Sequence, residues 1–593
     1  MINVSTLNQK THPKQHPRRL DAQPHELINR SRIIQFTFNG HPYTAHPGDT
    51  IASALAANGV RVISHSLKYH RPRGLHTYGH SIDDMVQVDE DHIRSVWMTR
   101  VEDGMDVRSI HPVSDIELHV SNSSAPNRID DNRWFGWLGR FLPGNHEEKP
   151  ADLSPEDEEL LRNTVGLDTQ DIDAVPDPEL DETLRELPSL EADVVVIGGS
   201  PAGLSAAISA AKAGATVLLF DDGAALGGHL RYSAEHQAKL YTMVSVANQL
   251  DDLHIYNKTT VQYLADKNAP QEKTLFVERE HKRYKVQGKT TIFATGAADQ
   301  PLIFDNNDLP GVMLGSAVLR LLHSYGAACG SEMLIVTANN DGWHLAQDLV
   351  SVGINVVAIV EHRASGEVPL DLTTVNVPVV YWAHTVVKAI GDTAVKEAVI
   401  APLSDVQHHK TVISGSNDYD TVACDTIVMA AGWIPRYDLP TMLGCTFPYD
   451  DTRHEYLPDY IPEDIFLAGR VAGSFDVVTQ ILEGDYVGRS AAALTGHGTK
   501  PDAEEWATIV AKKLDEPNRT TPYIVAIGET KGKRFVDLDE DITDVDVQQA
   551  VAQGRHGIEL LKRYTAHASD ASQTRWTSLN TLYLLSEQNQ GTY

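Results

Sequence analysis

Cysteine is scarce in this chain. Its 593 residues hold three, Cys329, Cys424 and Cys445, too scattered for a disulfide framework or a CxxC metal or redox pair. Positive charge is also short: 50 Lys and Arg stand against 81 Asp and Glu, for a net charge of -31. Nucleic acid and anionic membrane surfaces would repel such a chain, so neither is expected as a partner, and the excess carboxylates read as solvated surface. Long apolar runs are missing too, and none approaches the roughly 18 residues of a membrane span. The first thirty residues are polar, with Pro and His, and contain no signal-peptide core. Together these absences lead us to expect a cytoplasmic protein, long enough for about four domains.

The stretch Glu191–Leu230, EADVVVIGGSPAGLSAAISAAKAGATVLLFDDGAALGGHL, is what organises the chain. Asp193–Ile197 is a short apolar run suited to a parallel strand covered on both faces. Ala202–Lys212 has small apolar residues at helical spacing, and Val217–Phe220 is the next strand, ending at Asp221 and Asp222. Strand, glycine turn, helix, strand and acid in this order form a dinucleotide site: amides at the helix start face a diphosphate, and the carboxylate takes ribose hydroxyls while repelling a 2′-phosphate. That favours NAD or FAD over NADP. The turn residues are Gly198, Gly199, Ser200, Ala202 and Gly203; Asp221 is the expected ribose ligand, with Asp222 in reserve. Ser200 stands where the pattern has its middle glycine.

Residues 1–30 read as a mobile extension with nothing to bury. RIIQFTFNGHPYTAHPGDT, from Arg32, gives a hairpin at Asn39-Gly40 followed by a small-residue helix, the start of a β-grasp-like domain over 31–143. The loop HSLKYHRPRGLHTYGH mixes Lys68, Arg71 and Arg73 with His65, His70, His76 and His80. Its spacing matches no metal-ligand pattern, so packing or anion binding is expected there. Residues 144–190 read as an acidic, proline-punctuated linker. The first dinucleotide-binding domain takes 191–330 and 421–498, with DTIVMAAGWIPR and DIFLAGRVAG returning to it. Residues 331–420 repeat strand, turn, helix and strand with Asn339, Asn340 and Asp341 in place of glycines and Glu361 at the acidic position, which reads as a nested α/β unit packed on the first. Residues 499–593 read as a small helical module, with Thr543 as a helix cap.

Five motifs carry a resemblance beyond the glycine turn: KYHRPRG (Lys68–Gly74), ATGAADQPLIFDNNDLPGVML (Ala294–Leu314), TANND (Thr337–Asp341), FVDLDEDIT (Phe535–Thr543) and KRYT (Lys562–Thr565). With them the chain, from about Arg32 to Asn580, resembles the α subunit of heterotetrameric sarcosine oxidase. The resemblance implies an α/β, two-dinucleotide-binding-domain flavoprotein-like body with nested Rossmann-like units, preceded by a ferredoxin-like β-grasp domain. It implies NAD, or alternatively FAD, in this chain and FMN at the interface with a β-like partner whose FAD oxidises sarcosine or a related N-methyl or secondary amine. Small accessory subunits would complete the hetero-oligomer. Gly228, Thr295, Gly296 and Gly469 line the pocket by the same resemblance, each with a packing role as the bland alternative.

Three departures bear on that reading. Leu75–Met85 has none of the clustered cysteines of ferredoxin-like relatives, so no iron–sulfur cluster is expected. The Gly-Asp pair that meets FAD in this fold is Gly469-Arg470 here; a cation suits an anionic diphosphate and tilts the choice to NAD. The chain stops at Tyr593, where the family's folate-binding domain would begin, so folate-dependent capture of formaldehyde is expected on another chain or not at all. The competing readings are an opine or amino-acid dehydrogenase subunit, a stand-alone NAD(P)H-dependent FAD reductase, and a structural subunit with a vestigial pocket. No general base or nucleophile stands out.

Overall fold

The computed structural model describes residues 18–110 and 187–585, apart from 25, 67–68, 78–83, 90–91, 234–235, 266–272, 280–281, 370, 408–418, 451–452, 454, 517–531, 566–579 and 583. The expected linker lies outside the described residues up to 186, as do Lys68 and His80. Near the N-terminus, β1 (Ile34–Phe38), β2 (His41–Ala45), β3 (Met85–Val88), β4 (His92–Ser95) and β5 (Asp106–Ser109) form a mixed sheet in the order β2-β1-β5-β3-β4. The β1–β2 hairpin turns at Asn39 and Gly40, both with positive φ. Helix α1 (Ile51–Ala57) starts at Thr50, whose capping box with Ser53 satisfies two end amides, and all seven of its residues are buried.

The central sheet contains β6 (Ser189–Ile197), β7 (Val217–Asp221), β8 (Leu253–Asn257), β9 (Thr260–Ala265), β10 (Lys273–Arg279) and β11 (Lys282–Phe293), in the order β8-β7-β6-β11-β10-β9, with Ile465–Leu467 beside β11. Alternate residues of β6 enter two separate cores, Val194 and Val196 on one face, Val195 and Ile197 on the other. That is why its sequence is a continuous apolar run rather than an alternating one. Helix α2 (Pro201–Lys212) buries ten of its twelve residues, because α4 (Val477–Leu494) lies almost in backbone contact with it. A Cβ on Gly484 would sit 2.2 Å from the Ala202 carbonyl oxygen, so only glycine allows this approach. Ser205 Oγ crosses the same seam to the Ile481 carbonyl at 2.8 Å.

A second sheet, wholly parallel, has β12 (Val312–Leu314), β13 (Glu332–Thr337), β14 (Asn355–Glu361), β15 (Val380–Trp382) and β16 (Thr426–Ala430) in the order β12-β16-β13-β14-β15. Here the structure corrects the expectation that DTIVMAAG returns to the first domain. Strand β16 lies inside the second sheet, between β12 and β13, so the nested unit takes in residues on both sides of 331–420. Helix α3 (Asn340–Ser351) connects β13 to β14.

Two further expectations are corrected at the edges. The second half of the supposed mobile extension is a strap: Arg19 donates to the Asp49 carboxylate and the Tyr325 carbonyl, Arg18 donates to the Cys329 carbonyl, and Ile28 is in the core. The C-terminal module is not separate either, because Val536, Ile542, Val547, Leu584 and Leu585 join the same core as Leu334, Ile427 and Met429 of the second unit.

The three parts meet at one buried ion cluster. Arg73, 3% exposed, pairs with Asp308 and with Asp541, and Arg71 donates to Asp308 at 2.6 and 2.8 Å. The Phe535 ring lies 4.8 and 5.6 Å from the Arg73 and Arg71 guanidinium carbons. Removing one member of such a cluster strands buried charge at a cost of about 3–5 kcal/mol. Asp308→Ala is therefore expected to lower the unfolding free energy by that amount in urea titration; an unchanged midpoint would show that the cluster does not hold the parts together.

Candidate functional site

The turn between β6 and α2 is tied down before any ligand enters. Ser200 has φ -65° and is the N-cap of α2, its Oγ accepting from the Gly203 amide at 3.2 Å. This explains the serine: the backbone there needs no glycine, and the hydroxyl caps the helix. Gly203 has no such latitude, since a Cβ would sit 1.9 Å from the Gly198 oxygen. Asp221, at the end of β7, accepts from the Gly199 amide through Oδ2 at 2.6 Å and from the Gly223 amide through Oδ1 at 2.8 Å. Its pKa is raised, first by burial and then by neighbouring Asp222, against the opposing pull of those amides. Asp222 itself is exposed. These bonds, together with Leu204 to the Ser200 carbonyl, engage the amides of Gly199, Gly203 and Leu204 and leave out those of Ser200 and Ala202.

The other expected residues gather around this turn. A Cβ on Gly228 would lie 3.2 Å from Ser200 Cα, and one on Gly469 would lie 3.0 Å from the Ala202 methyl. Thr295 Oγ1 donates to the Arg436 carbonyl at 2.9 Å, and the Arg436 amide returns to Gly296 O at 3.0 Å. The Gly469 amide donates to the buried Glu483 carboxylate at 2.7 Å, which Lys513 Nζ holds from the other side at 3.0 Å. That clamp aims Arg470 away from the turn, across to the second unit. Its guanidinium carbon sits 4.2 Å over the Trp433 ring and a guanidinium nitrogen is 3.7 Å from Asp341, which also accepts from Trp433 Nε1 at 2.7 Å.

Reading the sequence did not single out His229, Trp433 or Asp299 for this neighbourhood. His229 follows Gly228, and its imidazole is held well below its ordinary pKa, first by burial and then by Arg470. Asp299 is buried with the Ser316 amide donating at 3.3 Å, and burial pushes its pKa up to about 6. The only signal for these residues was their place beside glycine motifs already quoted.

The second unit's acidic position is closed by its own side chains. Glu361 is fully buried and accepts from Trp343 Nε1 at 2.7 Å and from Arg363 Nη2 at 2.9 Å, while Arg363 Nη1 reaches Asn340 at 2.8 Å. No ribose hydroxyl is needed to satisfy it. Among the described residues no cluster of three or more metal-ligating side chains occurs, and no helix is long and apolar enough to cross a membrane.

Comparison with known proteins places these features. Residues 192–482 match the pyridine nucleotide-disulphide oxidoreductase family, and residues 531–592 match the sarcosine oxidase A3 domain. The chain is 28% identical over 588 residues to sarcosine oxidase subunit alpha of Rhizobium meliloti (strain 1021), covering 95% of this chain and 55% of that protein. It is 27% identical to the same subunit of Corynebacterium sp. (strain P-1), covering 93% and 53%. The chain is similar to sarcosine oxidase α subunits along nearly its whole length. It thus spans about half the length of the curated relatives it matches. Its fold is also that of L-proline dehydrogenase from P. horikoshii, with a TM-score of 0.64 at 19% identity over 96% of this chain and 95% of that one.

One expectation is overturned. Residues 31–112 match the 2Fe-2S iron-sulfur cluster binding domain family, which points to an iron–sulfur cluster where none was expected. The donor set does not fit such a cluster within that domain: residues 31–112 contain no cysteine, and Cys329, Cys424 and Cys445 are buried elsewhere.

Asp299 offers a test of the site's electrostatics. Folded, it holds its proton more tightly than the unfolded chain does, so the stabilisation present below about pH 4 is lost as pH rises through about 6. The share due to this one group is about 3 kcal/mol. Asp299→Asn is expected to be more stable than the parent at pH 7 and to lose that difference near pH 4, as read from urea midpoints of the pair across the range.

Proposed function

We propose that this chain is the nucleotide-holding subunit of a multisubunit flavin-dependent oxidase or dehydrogenase acting on sarcosine or a related N-methyl or secondary amine. In this reading it binds NAD and helps hold an interfacial FMN, while a β-like partner with FAD oxidises the amine. The observation that carries it is the turn at Gly198–Gly203 with Asp221: a capped helix start with the Ser200 and Ala202 amides outside its internal bonds, and a partly buried carboxylate with each oxygen bonded to a single backbone amide among the described residues. Each of those oxygens has a second lone pair for a ribose hydroxyl, and the helix dipole favours a diphosphate. The similarity to sarcosine oxidase α subunits and the A3-domain match support the assignment to an amine-oxidising assembly.

A free-standing NAD(P)H-dependent flavin reductase fits less well. Such an enzyme passes hydride between its two nucleotide units or on to a CxxC pair. Here Arg470, Trp433 and Asp341 bridge the two units, the Glu361 pocket is filled from within, and no CxxC is present.

The deciding measurement is mass spectrometry of small molecules released when the purified chain is denatured. NAD is expected; FAD would favour the reductase, and nothing at all a vestigial pocket. Co-expression with a flavin-binding partner is expected to be necessary for amine turnover, and oxidation of the amine by the isolated chain would overturn the division of labour. Asp221→Ala removes charge-assisted hydrogen bonds of roughly 1.5–3 kcal/mol and is expected to weaken NAD binding about ten- to hundredfold in calorimetry.

A further inference from the structure

Beneath the N-terminal strap lies a small cavity, partly open to solvent, with room for about one or two water-sized molecules. Arg18 of the strap and Arg61 of the N-terminal domain line it, together with Leu75, Gly311, Met313 and Cys329. No acid is among the lining residues. Burial pushes the Cys329 thiol up to about 11, so it adds no negative charge. Gly311 has a positive φ, and a Cβ there would sit 2.9 Å from Arg61 Nη1, so any side chain would press into the guanidinium's place.

The two guanidinium groups share one counter-charge. Asp425, outside the cavity wall, pairs with both: Arg18 Nη2 lies 3.4 Å and Arg61 Nη2 3.1 Å from the same oxygen, Oδ2. That carboxylate is already crowded. The Ser331 and Glu332 amides, the Ser331 hydroxyl and Thr426 Oγ1 donate to it as well, at 2.8–3.2 Å, so these four donors and the two arginines compete for about four lone-pair sites. Two positive charges thus stand against one negative, and Arg18 feels the imbalance: its pKa is lowered, first by burial and then by Arg61. The other bonds run from Arg18 Nη1 to the Cys329 carbonyl at 2.8 Å and from Arg61 Nη1 to the Asp425 carbonyl at 2.5 Å and Thr426 Oγ1 at 3.3 Å. They leave the Nε–H of each arginine without a partner among the described residues.

We propose that this cavity is a site for one small monovalent anion, of halide or formate size, held between the Arg18 and Arg61 guanidinium groups and tying the strap to the N-terminal domain. The size of the cavity excludes phosphate esters and nucleotides. One uncompensated positive charge selects a single negative one. Guanidinium is weakly hydrated and exchanges water for an anion more readily than an ammonium does, and the apolar walls at Leu75 and Met313 strengthen the attraction over that at an open surface. With a net charge of -31 the chain repels anions in general, which makes a positive cavity of this kind a local feature rather than part of a basic face.

The test is thermal unfolding of the full chain at fixed ionic strength, with sodium chloride or sodium formate replacing sodium gluconate, whose anion is too large for the cavity. Because only the folded chain holds the anion, Tm of the wild type is expected to rise by about 2–4 °C as chloride goes from none to about 300 mM. Arg18→Met, which keeps an unbranched stem and loses the charge, is expected to show no such rise. An equal rise in Arg18→Met would mark a general salt effect, and no rise in the wild type would mean that the cavity holds only water; either result overturns the site. Should Arg18→Met fail to fold, bromide decides: crystals of the wild-type chain grown in sodium bromide are expected to show an anomalous peak between the two guanidinium groups, and the absence of a peak there overturns the proposal.

Discussion

The arrangement of the whole chain depends on one buried ion cluster, Arg73 between Asp308 and Asp541 with Arg71 beside it. These residues come from three of the five motifs that carry the resemblance to the sarcosine oxidase α subunit: KYHRPRG, ATGAADQPLIFDNNDLPGVML and FVDLDEDIT. Their spacing along the chain is hundreds of residues, yet they converge on one point with Phe535 beneath the two guanidinium groups. Charges this deep are tolerable only when every partner is in place. The N-terminal sheet, the second unit and the C-terminal module are thus tied together at one point.

The same economy governs the glycine turn. Ser200 and Asp221, the residues a sequence reading assigns to the ligand, are first of all structural: one caps α2 and the other collects the amides of Gly199 and Gly223. A turn so tied down would present its remaining amides to a diphosphate without reorganisation. The difference between the two units then has a simple cause. In the second, Trp343 and Arg363 consume the Glu361 carboxylate from the side chains of α3 and β14's end. In the first, among the described residues, backbone amides alone donate to Asp221, one to each oxygen, which leaves a second lone pair on each.

Much of this was legible in the sequence wherever the signal is local. The hairpin at Asn39-Gly40, the cap at Thr543 and the strand–turn–helix–strand of residues 193–221 all follow from residues within a few positions of one another. What was not legible is long-range. Thr426–Ala430 is fully buried on both faces, and an apolar run of that kind says that a strand is covered without saying which sheet covers it. Arg18 and Arg19 look like a solvated tail until Asp425, Asp49 and the Tyr325 carbonyl are brought to them from far along the chain. The cysteine-free loop was read as the absence of an iron–sulfur centre, yet a domain family is carried by its strands and core as well as by its ligands, and those place residues 31–112 among cluster-binding domains.

Arg470 shows best how a single substitution changes meaning once its surroundings are known. By composition it is a cation where the fold usually has a carboxylate, which suggests a direct phosphate ligand. In place, Glu483 and Lys513 fix the loop from behind, and the guanidinium turns outward over Trp433 to meet Asp341. A carboxylate at that position would bring a third acid to Asp341 and Asp299 in place of the cation that both now feel. The arginine removes that repulsion; with the guanidinium in place, Asp299 is still raised only to about 6 rather than driven further. The exchange therefore belongs to the pair of units rather than to the first alone: with Asp341 in the first turn of α3, a positive charge on the loop opposite pairs with it.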